Sequence, residues 1–176
     1  MIGEETTVSS DLIYTGKTIQ LRVDTVEVPN RGYQKREIIE HKGAVAILAI
    51  TNENKVVLVK QFRKAVEQVL YELPAGKIEI GETPLDCAYR ELKEETGYSA
   101  ENLKLIHKYY TTPGFSNQMV FIYLAQGIVP GEKSLEEDEF LEVCEIDLDK
   151  AYQMVYENEI CDSKTVIGLL MSKEII

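Results

Sequence analysis

Between Pro84 and Thr96 the chain reads PLDCAYRELKEET, and its carboxylates are unevenly spread. At 100° per residue on a helix, Glu91, Glu94 and Glu95 share one arc. It adjoins an apolar arc of Leu85, Ala88, Tyr89 and Leu92, the face expected to pack on a sheet. Like charges one turn apart repel. Arg90 stands one turn before Glu94 and offsets only that residue, while Lys93 points elsewhere. A bound hard cation would resolve the repulsion, because Mg²⁺ takes oxygen ligands and typically combines one or two carboxylates with substrate phosphates. A helix merely rich in solvated Glu is the competing reading of these residues alone.

The residues before the helix shift that balance. Leu73-Pro74-Ala75-Gly76 ends a strand and enters a loop, and Gly76 permits close backbone approach. Glu82 follows, then the helix. The order Gly76, Glu82, Arg90-Glu91-Leu92, Glu94-Glu95, Gly97, Tyr98 resembles the Nudix box, the signature of the Nudix hydrolases. The one departure is Tyr98, at a position where the family usually has a bulky aliphatic residue; a tyrosine there should still fill an apolar site.

The resemblance implies an α/β/α sandwich with a mixed sheet, whose box forms a metal-binding loop–helix–loop. It implies hydrolysis of a nucleoside diphosphate linked to another moiety. Glu91 and Glu95 would be metal ligands, joined by the backbone carbonyl of Ala75. Glu94 would be a further ligand or touch a metal-bound water, Arg90 would orient the glutamates, and Glu82 would support the metal. The implied ion is Mg²⁺, with Mn²⁺ as a substitute. Metal ions neutralise phosphate charge and lower the pKa of a bound water, which explains how a chain of net charge −11 would hold an anion.

Beyond the box, Pro113 in Thr111-Thr112-Pro113-Gly114-Phe115 is similar to the ADP-ribose pyrophosphatase subfamily. So are Lys35-Arg36-Glu37, Val59-Lys60-Gln61-Phe62-Arg63, Glu136-Glu137-Asp138-Glu139-Phe140 and Asp162-Ser163-Lys164-Thr165. The similarity implies that Arg63 contacts the diphosphate and that Arg36 and Glu37 sit near the nucleoside. It implies a substrate-side place for Gly76 and Pro113 as well. In the acidic run, Glu137 would be the general base and Glu139 a metal ligand, delivered by a loop. A solvated acidic loop is the plain reading of that run by itself. The expected reaction is ADP-ribose and water to AMP and ribose 5-phosphate. A pyrophosphatase for another nucleoside diphosphate sugar, such as GDP-mannose, and a non-catalytic ligand sensor on the same fold are the alternatives.

These residues need elements to position them. Thr83 as N-cap, Pro84 at the first helical position and Gly97 as the stop predict a helix over 84–96. Further helices are expected over 148–156 and 163–171, with Ser163-Lys164-Thr165 read as a helix start. AVAILAI over 44–50 predicts a strand buried on both faces. Strands are also expected over 55–60, 69–73, 103–110, 119–125 and 140–146. Near the N-terminus, 18–28 and 35–41 read as an antiparallel pair, with a phase slip in 18–28 that a bulge would allow. That gives an N-terminal β extension, residues 1–42, and a hydrolase domain, residues 43–176. In the relatives the extension is exchanged between subunits, so a homodimer is expected.

Bulk properties exclude other classes. The chain has 176 residues, 44% of them hydrophobic, and no apolar run near the roughly 18 residues of a membrane span. The net charge argues against nucleic acid and anionic membranes as partners. Cys87, Cys144 and Cys161 lack disulfide or zinc spacing, and the N-terminus lacks a secretory pattern, so a cytoplasmic protein is expected. His41 and His107 match no motif role.

Overall fold

The computed structural model describes residues 3–134 and 140–176. These fall into two compact units: the described residues up to Gly43 with Tyr110–Met119, and Ala44–Tyr109 with Val120–Ile176.

The first unit holds a three-stranded antiparallel sheet of β1 (Thr6–Thr15), β2 (Gln20–Val28) and β3 (Gly32–Glu40), in that order. The expected pair is therefore a triplet. β1 escapes pattern reading because it is exposed along its whole length and carries no buried alternation. The register shifts lie in β1, between Thr7 and Ser9 and between Leu12 and Tyr14, whereas β2 pairs with β3 without a break. The slip expected in 18–28 is thus taken up by the partner strand.

The second unit is built on β4 (Ala44–Ile50), β5 (Lys55–Arg63), β6 (Gln68–Glu72), β7 (Ala75–Lys77), β8 (Leu103–Tyr110), β9 (Met119–Ala125) and β10 (Leu141–Asp147). The strand order is β10-β5-β4-β9-β8, with β6 on β5 and β7 on β4. β4 runs parallel to β9 and antiparallel to β5 and β7, so the sheet is mixed. Helices α1 (Pro84–Thr96), α2 (Leu148–Tyr156) and α3 (Ser163–Ser172) cover it. Alternate residues of β4 serve opposite faces. Val45, Ile47 and Ala49 pack with Cys87, Ala88 and Leu92 of α1. Ala46, Leu48 and Ile50 pack with Leu148, Ala151 and Met154 of α2 and Leu169 of α3. Period-two alternation with apolar residues on both sides makes this an α/β/α sandwich.

One irregularity positions the site. β4 pairs with β5 only at Ala49 and Ile50, while its first residues, Ala44 to Ala46, pair with β7. β5 in turn pairs with β6 over Val59 to Arg63. The two central strands therefore diverge, and β6 and β7 occupy the gap. Pro74, between them, has no N–H to offer a ladder, and its carbonyl is satisfied by Ile47 N at 2.8 Å.

Candidate active site

α1 begins and ends as its caps require. Thr83 Oγ1 accepts from Asp86 N at 3.2 Å, and Gly97 adopts φ 77° with its N–H on Lys93 O at 2.8 Å. Its buried face differs from the expected arc. Leu85 is exposed and Tyr89 half-buried, whereas Glu91 (8% exposed) and Glu95 (3%) are buried with Cys87, Ala88, Leu92 and Thr96. The helix turns its carboxylates toward the β7 strand, and Tyr89 instead uses its hydroxyl, accepting from Leu103 N and donating to Glu101 O.

A buried carboxylate must be hydrogen-bonded or paired. Glu95 Oε2 accepts from Ala75 N at 2.9 Å. Glu91 lies against Gly76, where a Cβ would stand 1.7 Å from Oε1. Arg90 does more than the sequence suggests. Its Nη1 donates to Glu91 Oε1 at 2.7 Å and Glu94 Oε2 at 3.1 Å. Its Nε and Nη2 grip Glu82 in a two-pronged pair at 2.9 and 3.0 Å. The pattern-based expectation that Arg90 offsets Glu94 alone is corrected, because Glu82 and Glu91 also fall within reach of the fork. Glu82 is held further by Glu79 N at 3.0 Å. The Arg90 hydrogen bonds, opposed by burial, hold the Glu82 carboxyl at about 2, and the same bonds raise the Arg90 guanidinium. Burial pushes the Cys87 thiol up, which leaves it inert.

One guanidinium thus faces Glu82, Glu91 and Glu94, and Glu95 adds a further carboxylate. The cluster keeps a negative excess of hard oxygen donors beside a backbone with no side chain at Gly76. Such a donor set fits Mg²⁺ or Mn²⁺ and not a soft metal. Among the described residues no preformed cage of His, Cys, Asp or Glu is assembled, and Mg²⁺ needs none, since it keeps waters and takes substrate phosphates as ligands.

Arg63, at the end of β5, binds Glu72 through Nε and Nη2, each at 2.7 Å. The Glu72 bond raises the Arg63 guanidinium, whose charge also feels Glu95. Glu72, Asp162, Lys164 and Thr165 form a polar cluster behind the loop that sequence reasoning passed over. Ser163-Lys164-Thr165 does begin a helix, with Asp162 as the N-cap of α3, but Lys164 and Thr165 also reach Glu72 and Leu73 N.

Tyr98 packs beside the α1 core, as expected, but its hydroxyl also donates to Glu145 Oε1 at 2.5 Å. Glu137 and Glu139 lie outside the described residues. The segment leading to them is tied to α1, with Ser134 N donating to Glu94 O at 3.1 Å. Arg36, Glu37 and Pro113 belong to the first unit. Arg36 pairs there with Glu5, with Nε to Oε2 at 2.9 Å, while Glu37 and Pro113 are exposed. His41 Nδ1 accepts from Gly43 N at 3.0 Å.

The NUDIX domain family matches residues 40–165. The chain belongs to the Nudix hydrolase family. It is 47% identical over 168 residues to a protein of Bacillus methanolicus named methanol dehydrogenase activator, covering 94% of this chain and 91% of that one. It is 46% identical over 168 residues to the ADP-ribose pyrophosphatase of Bacillus subtilis, with the same coverage of 94% and 91%. A solved structure described as an ADP compounds hydrolase superposes with a TM-score of 0.85 at 22% identity, over 97% of this chain and 93% of that one, which supports the fold. No helix among the described residues is long and apolar enough to cross a membrane.

Proposed function

We propose that this Nudix hydrolase cleaves the pyrophosphate bond of ADP-ribose, adding water to give AMP and ribose 5-phosphate. The observation that carries this reading is the 46% identity to a named ADP-ribose pyrophosphatase over 94% of the chain, with every box glutamate present.

Glu91, Glu95 and the Ala75 carbonyl, with Glu139, would hold Mg²⁺ or Mn²⁺. When bound, the metal would neutralise phosphate charge and acidify a water. Arg90, through its bonds to Glu82, Glu91 and Glu94, fixes the carboxylates in place before substrate arrives, so their ordering costs nothing during the reaction. Glu94 contributes from the same fork, and Glu82 anchors it. Glu137 would take the proton of the attacking water. The hydrogen bond from Ser134 to the Glu94 carbonyl supports this role, because it tethers the chain just before Glu137 to α1. Arg63 would meet the diphosphate as a fixed fork. Gly76 and Pro113 would line the substrate, and Arg36 and Glu37 would meet the nucleoside.

Residues 1–42 would serve as a dimerisation extension to the hydrolase domain of 43–176, giving a cytoplasmic homodimer. The exposed Leu12, Ile13, Tyr14 and Tyr33 of the three-stranded sheet support a covering partner. Light scattering that finds a stable, active monomer would reject the dimer.

The test of function is product analysis with Mg²⁺ on ADP-ribose, GDP-mannose, NADH and diadenosine polyphosphates, with EDTA and Glu95→Gln controls. AMP and ribose 5-phosphate from ADP-ribose alone, lost in both controls, is the expected result. Cleavage of GDP-mannose instead would overturn the substrate. The 47% identity to a methanol dehydrogenase activator favours a second reading, action on such a dehydrogenase. Adding the protein to methanol dehydrogenase and following methanol oxidation tests it in the same preparation.

A further inference from the structure

Glu72 is 1% exposed and carries two cations. Arg63 holds both its oxygens. Lys164 Nζ donates to Glu72 Oε2 and lies 3.0 Å from Asp162 Oδ2. Asp162 caps α3 and accepts from Thr165 Oγ1 at 2.6 Å, and that oxygen accepts from Leu73 N at 2.8 Å. Lys164 is itself largely enclosed, with 14% of its side chain exposed, against 42% for Arg63. The enclosed cation therefore stands behind the carboxylate and the accessible one in front.

This arrangement decides how much of the Arg63 charge is available. A desolvated carboxylate facing a single guanidinium would hold that pair more tightly than one shared with a second cation, as Glu72 is here with Lys164. With Lys164 present, Arg63, Lys164, Glu72 and Asp162 balance in formal charge. Without it, two carboxylates would compete for one guanidinium beside a box already rich in glutamate. An incoming anion would then meet a more negative surface and a more tightly held Arg63.

We propose that Lys164 is a positioning residue: by sharing Glu72, it weakens that carboxylate's hold on the Arg63 guanidinium, so that Arg63 can turn to the diphosphate of the substrate. The inference rests on the reading of Arg63 as the diphosphate contact. Burial pulls the Glu72 carboxyl upward, but the two cations together hold it below its ordinary value, consistent with a fully ionised centre.

Steady-state kinetics on ADP-ribose with Mg²⁺ tests it in the full chain. Lys164→Met is expected to raise KM about tenfold with kcat within about twofold, the signature of binding lost equally in the ground state and the transition state. Lys164→Gln, which keeps a hydrogen bond to Glu72 without the charge, is expected to do the same if the Met variant folds poorly. Lys164→Arg should restore KM, and so should the pair Lys164→Met with Glu72→Gln, which releases Arg63 by removing the charge that holds it. An unchanged KM in both neutral variants, or a defect that the double variant leaves unrepaired, overturns the proposal. Arg63→Met separates the two levels. If it leaves KM unchanged, the reading of Arg63 fails; if it raises KM while the Lys164 variants do not, only the role of Lys164 fails. Should another nucleoside diphosphate compound be the one turned over, the same variants are compared on that compound.

Discussion

The carboxylate of Glu91 lies so close to the backbone of Gly76 that a Cβ at residue 76 would fall 1.7 Å from Oε1 and 1.9 Å from the carboxyl carbon. The glycine of the box is required by Glu91, about two turns into the helix, and by nothing in its own dihedrals, since it is not among the positive-φ residues.

Gly76→Ala should therefore fold and fail as an enzyme. The new methyl group must displace the Glu91 carboxylate while the β7 backbone accepts alanine. We expect kcat/KM to fall by at least about 100-fold, or about 2.7 kcal/mol, with stability in urea within about 1 kcal/mol of the parent. Full activity would show that Glu91 need not stay where it is.

Metal binding should be visible without turnover. A cation that binds only the folded chain at about 100 times its Kd stabilises by about 2.7 kcal/mol, roughly 5–10 °C for a chain of this size. Calorimetry with Mg²⁺ and with EDTA should show that shift in the parent, and its loss in Glu95→Gln. An equal shift in both would move the cation off Glu95.

Thr165 is fully buried and satisfies Leu73 N, which has no other route to water. Thr165→Val strands that donor and one contact of Asp162. The expected loss is about 1–3 kcal/mol in urea denaturation, largely recovered by Thr165→Ser. No loss in the valine variant would mean that the loop is held by its strand bonds alone.

Tyr98 gives an alkaline test. Its hydrogen bond to Glu145, with burial adding to it, raises the phenol to about 12. The bond exists only while the phenol keeps its proton. Its contribution is complete below the ordinary value near 10 and is lost as the pH climbs from there through about 12. The stability difference between the parent and Tyr98→Phe should shrink over that window. A difference that stays constant would assign the stability to packing.

Much of this was legible in order along the chain. The caps at Thr83 and Gly97 bounded the box helix, and the apolar run of 44–50 marked the doubly buried strand, because both signals are local. The glutamate spacing identified the family. β1 was not legible, since a fully exposed strand has no periodic mark.

What the sequence by itself determined is therefore the kind of chemistry: a helix whose carboxylates outnumber their cations after a glycine loop, which calls for a hard metal and a phosphate compound. Tertiary structure alone decided how those carboxylates are held. The helical period put Leu85 in the buried face, but the sheet took Glu91 and Glu95 instead, since β7 offers them Ala75 N and the open backbone of Gly76. It joined Lys164 to Glu72 across 92 positions of sequence. Periodicity governs contacts within one turn of helix or one strand repeat; a pair between two elements depends on where the sheet sets them, and no local pattern encodes that.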